Sequence, residues 1–156
     1  MNIKGENMNQ RVMRLSHKKP VVCRCKLCRS QCEDTPCIGT PLDIKRLIDN
    51  GYADRLLITY NASAMLLGQL DHAVKMIATD FRNGKCPFFT AERLCELHDL
   101  GLKPLEGRLS HHSVTISNFR PHRSIAVNIL KEWENPDNAE LVNELFSYFE
   151  TKKYRR

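Results

Sequence analysis

A chain of 156 residues is sized for one compact domain. With 42% hydrophobic and 27% charged residues it is composed like a globular protein, which excludes collagen, a coiled coil and wholesale disorder. The formal charge of +6 is gathered at the two ends, because residues 21–151 hold 15 basic and 17 acidic side chains.

Residues 1–20 carry five Lys/Arg against one acid, and they lack the apolar core of a signal peptide. They read as a basic, solvated tail, as do residues 151–156, which hold Lys152, Lys153, Arg155 and Arg156. No run approaches the roughly 20 apolar residues of a membrane helix. A cytoplasmic protein with no membrane partner is therefore expected. Without a basic stripe interleaved with aromatic residues, a nucleic-acid partner is not expected either.

Cysteine is the informative residue. There are seven, an odd number, and Cys23, Cys25, Cys28, Cys32 and Cys37 fall within residues 21–39. They stand among Arg, Lys, Ser, Gln and Glu rather than at apolar periods, so burial does not explain them. A disulfide framework would leave one thiol over, and a reducing cytosol would not keep it. Metal ligation accounts for clustered thiols in polar sequence.

Thr40, Pro41 and Asp43 then form a capping box with a first-turn proline, and Ile44, Leu47 and Ile48 supply a helical apolar stripe that ends at Gly51. Residues 52–70 hold the short apolar runs Leu56–Ile58 and Met65–Leu67, which suit either a strand or a buried helix. From Val74 the alternation of Val74, Met76 and Ala78 with Lys75, Ile77 and Thr79 predicts a strand, and Asn83-Gly84 predicts a two-residue hairpin loop. A second hairpin is expected over residues 86–95. With its turn at Thr90-Ala91, Cys86 would face Cys95, close enough for both sulfurs to hold one ion.

Ile125, Ile129 and Trp133, then Leu141, Leu145 and Phe149, mark two helices joined at Asn135-Pro136-Asp137. The expected fold is thus α+β: a small helix-rich single domain with short β-hairpins, an irregular Cys-rich loop and two C-terminal helices.

The ligand spacing is Cys25-x2-Cys28-x3-Cys32-x4-Cys37, followed by Cys86-x8-Cys95-x2-His98. Zinc takes four Cys or His ligands in a structural site, so seven candidates leave room for spectators, two sites or one cluster. Cys23 reads as a spare thiol. His111 and His112 read as solvent-facing, and His17, His72 and His122 as surface residues.

Three further segments join this pattern: Pro41-Leu42-Asp43-Ile44-Lys45-Arg46-Leu47, Cys86-Pro87-Phe88-Phe89 and Lys103-Pro104-Leu105-Glu106-Gly107-Arg108. In that order, with Cys25-Lys26-Leu27-Cys28-Arg29-Ser30-Gln31-Cys32 and Cys95-Glu96-Leu97-His98, they resemble the YkgJ-like cysteine-cluster family. That family is described as a zinc- or iron-chelating domain. The resemblance covers roughly 25–112 of a domain expected over 21–150, with the helical pair over 120–150 outside it. It implies a metal site and names no substrate. Two departures stand out. The family commonly has a Cys-Cys pair where this chain has Gln31-Cys32, and often a cysteine where it has Gly107; Cys37 and His111-His112 are the replacements at hand.

Soft thiolate ligands favour zinc over harder ions, with iron or an iron–sulfur cluster as the alternative. The spacing fits neither ferredoxin pattern. No His-Glu-x-x-His, deaminase signature, phosphate loop or nucleophile elbow is present, so no catalytic residue is assigned. A metal-dependent or iron–sulfur redox enzyme is the competing function.

Overall fold

A computed structural model describes residues 3–21, 25, 26, 35, 37–110 and 117–154. Helix α1 spans Met8–Ser16 and is closed at its start by a reciprocal capping box between Asn7 and Gln10. It lies inside the segment expected to be a solvated tail, and this corrects that expectation. Val12 is fully buried, and Arg11 and Asn9 are buried with it. Arg11 makes a two-pronged ion pair with Glu132, its Nε 2.6 Å from Oε1 and its Nη2 2.8 Å from Oε2. One basic residue of this segment, Arg11, is therefore a core partner rather than a solvated charge.

Helix α2, Pro41–Asp49, has the cap that its sequence predicts, with Thr40 and Asp43 bonded reciprocally and Pro41 in the first turn. A 3-10 turn at Ala53–Arg55 leads into strand β1, Leu56–Asn61. The ambiguous run 52–70 thus divides into a strand and a single helical turn, α3, Ser63–Leu66. Strand β2, Val74–Thr79, pairs antiparallel with β1, from Leu56 opposite Thr79 to Asn61 opposite Val74.

Strand β2 was expected to continue through Asn83-Gly84 into a hairpin. Its partner is instead the strand before it. Gly84, at φ +81°, closes a turn by donating its N–H to the Phe81 carbonyl, and no strand follows it among the described residues. The Asn-Gly pair specifies a tight turn, but a ladder also needs an apolar partner strand, and Leu56 and Ile58 supply it upstream.

The second hairpin is shorter than expected and differently registered. Phe89 bridges Cys95 across a loop of Ala91, Glu92 and Arg93, with Arg93 left-handed at φ 62°. Thr90 N–H donates to Leu94 O at 2.8 Å and Glu96 N–H to Phe88 O at 2.8 Å. A three-residue loop ending in a left-handed residue displaces the two-residue turn, so Cys86 does not face Cys95.

Helix α4, Leu105–Leu109, precedes helix α5, Ile125–Glu134, and a 3-10 turn at Pro136–Asn138 runs into helix α6, Ala139–Tyr154. Asn135 accepts from Asp137 N–H at 3.0 Å, so the predicted connection is present. Helix α5 is the hub. Its Val127, Ile129, Leu130 and Trp133 are buried, and it packs on α1, α3, α4, α6 and β2. The result is a small α+β fold whose core lies between the ribbon and the helices. No described helix is long and apolar enough to cross a membrane.

Candidate metal centre

Cys37, half-buried, stands directly before the buried Ile38. The next residues are held tightly to α4: Glu106 N–H donates to Ile38 O at 3.2 Å, and Ile38 N–H to Glu106 Oε1 at 3.0 Å. Asp43 fastens the same junction. Its carboxylate accepts from the side chain of Asn9 at 2.9 Å, from the N–H of Leu105 at 2.9 Å and of Thr40 at 3.2 Å, and from Arg108 Nη2 at 3.2 Å. One buried side chain thereby ties α1, α2 and α4 together. The sequence shows it only as a cap residue, because its other partners lie more than 30 positions away.

Gly107 completes the junction. A Cβ on this residue would stand 2.6 Å from the Cys37 sulfur, so only glycine allows the approach. The Cys37 thiol also lies 3.8 Å from the Pro104 carbonyl oxygen. Beside it, burial pushes the Glu106 carboxyl up to about 7, against the Ile38 N–H, which pulls it down. Nothing in the sequence distinguishes Glu106 from an ordinary surface acid.

Cys86 is buried within the hydrophobic core, and Cys95 packs half-buried against it. The Cys86 carbonyl accepts from Phe89 N–H at 3.1 Å, and Phe89 is the residue opposite Cys95. His98 follows one turn on, its N–H donating to Cys95 O at 3.2 Å, and is half-buried. The two limbs are pinned by Phe88, fully buried and edge-on to Tyr52, and by Arg55, which stacks on both rings and reaches Glu96 at 2.6 Å.

Cys25, Cys37, Cys86 and Cys95 are carried as thiols. Cys28 and Cys32, together with Cys23, His111 and His112, lie outside the described residues. Among the described residues no three His, Cys, Asp or Glu side chains converge as a metal-holding group. The donor chemistry fits a soft ion, since cysteine predominates and the one candidate histidine is next to a cysteine turn. His72, expected at the surface, is half exposed and lies between Asp71 and Glu134, whose carboxylates hold its pKa above the usual histidine value. His17 and His122 are exposed.

No protein-family model matches the chain, and no curated protein or solved structure matches it either.

Proposed function

We propose that this chain is a cysteine-cluster protein that binds zinc, with iron as the second choice, the ion being structural or held for metal handling or sensing. One observation carries most of the reading: the Cys37 sulfur is seated on Gly107. The resemblance puts a cysteine at that position, and here a thiol from the Cys-rich stretch occupies the space such a side chain would fill. The polar setting of the N-terminal thiols and the paired turns bearing Cys86, Cys95 and His98 support it further. Cys25, Cys28, Cys32, Cys37, Cys86, Cys95 and His98 would supply the donors. Zinc bound by them would add a cross-link without redox chemistry.

Elemental analysis of protein purified without oxygen tests the proposal. A colourless product with about one or two zinc ions per chain is expected. Metal-free protein would overturn it. A brown product containing iron and sulfide would favour the redox enzyme.

A further inference from the structure

The basic charge of this protein is divided in the sequence but joined in the fold. Helix α1 runs antiparallel along α5: Arg11 pairs with Glu132 at one end, and Ser16 with Asn128 at the other. The end of α1 is thereby set beside the 3-10 turn Pro121–Arg123, which packs against it. A single nitrogen, Asn128 Nδ2, donates to both Ser16 Oγ at 3.1 Å and His122 O at 3.2 Å, clamping the two segments together.

Beyond that clamp the chain carries His17, Lys18 and Lys19 from one segment and Arg120, His122 and Arg123 from the other. All are exposed except the half-buried Lys18. Among the described residues none of the six forms an ion pair. The sequence around them, 7–21 and 117–131, contains no Asp or Glu. Half-buried Phe119 borders the arginines, and its carbonyl accepts from Arg120 Nη1 at 3.0 Å.

The geometry points to this basic face, His17–Lys19 with Arg120–Arg123, as a binding surface for single-stranded nucleic acid. Four permanent cations and two imidazoles match a chain of phosphates, and Phe119 at their edge offers a ring on which a base can stack. An anionic membrane fits less well. The apolar side of α1 that would enter lipid, centred on Val12, is spent in the core. The inference stands apart from the metal reading, because none of its residues is a candidate ligand.

Fluorescence anisotropy with a short labelled oligouridylate tests it. Neutralising four phosphates predicts a log–log salt slope near −3, or about 50-fold weaker binding between about 50 and 200 mM salt. Lys19→Gln/Arg120→Gln/Arg123→Gln should reduce the slope to about −1. Arg120→Lys/Arg123→Lys should retain it. A matched control, Lys4→Gln/Lys85→Gln/Lys131→Gln, removes equal charge elsewhere and should bind like the parent. These exposed substitutions should leave the thermal melt unchanged. Equal loss in the patch and control variants, or no salt-dependent binding by the parent, overturns the inference. So does retention on phosphatidylserine vesicles without binding to the oligonucleotide.

Discussion

Gly107 shows how one missing side chain can define a site. Its Cα is the floor on which the Cys37 sulfur rests, so Gly107→Ala should cost about 1–3 kcal/mol through overpacking. The other close atoms are Cε and Cγ of Lys103, at 2.7 and 3.2 Å, on a flexible side chain that can move aside. In a Cys37→Ala background the same change should cost much less. Urea unfolding of the four proteins should give a coupling of about 1 kcal/mol or more, and additive costs would refute the contact. Glu106, one residue earlier, sets a pH dependence. Its carboxyl titrates at about 7 in the fold and near 4.5 when unfolded, so the native state holds the extra proton between those values. Stability should fall as pH rises from about 4.5 to 7. Glu106→Gln keeps the acceptor for Ile38 N–H and removes the charge, and should flatten that slope in melts recorded across this range. An unchanged slope would show that Glu106 is well solvated.

At the scale of elements, α1 decides how the ends of the chain are used. A solvated tail would tolerate Val12→Ala without effect. In a buried helix the change removes two fully enclosed methyl groups, and it should cost about 2 kcal/mol in chemical unfolding. The Arg11–Glu132 pair makes the docking specific, because either charge alone would be stranded in the core. The hairpin at residues 88–96 teaches a related lesson. Its existence was legible from Phe88, Phe89 and the polar turn, yet its register was not. Choosing a three-residue over a two-residue loop depends on whether Arg93 accepts a left-handed backbone, and composition does not announce that choice.

For the whole molecule, bound metal should act as a fold-wide brace. Structural zinc is worth roughly 10–16 kcal/mol in small peptides, comparable with the whole stability of a domain. Stripping it with a strong chelator should lower the melting temperature substantially, and re-addition of zinc should restore it. Cys95→Ser should reduce metal content and stability together. Cys86→Ser mixes ligand loss with a polar atom buried in the core, so Cys95 gives the cleaner measurement. An unchanged melt on chelation, with full metal content in Cys95→Ser, would remove the structural-metal reading.

What the sequence determined by itself is local. The Thr40–Asp43 cap, the α5 and α6 stripes and the Asn135-Pro136-Asp137 junction rest on neighbours within one or two turns, where spacing alone specifies partners. The concentration of thiols is likewise a property of the string of residues. Tertiary structure decided which distant groups meet: Cys37 with Gly107, Asp43 with Asn9 and Arg108, β1 with β2, and the end of α1 with the turn Pro121–Arg123. Such meetings follow from how apolar faces pack across tens of residues. A helix such as α1 joins the core through one fully buried valine, the Arg11–Glu132 pair and the polar contacts of Asn9 and Ser16, an apolar signal too sparse for periodicity to expose.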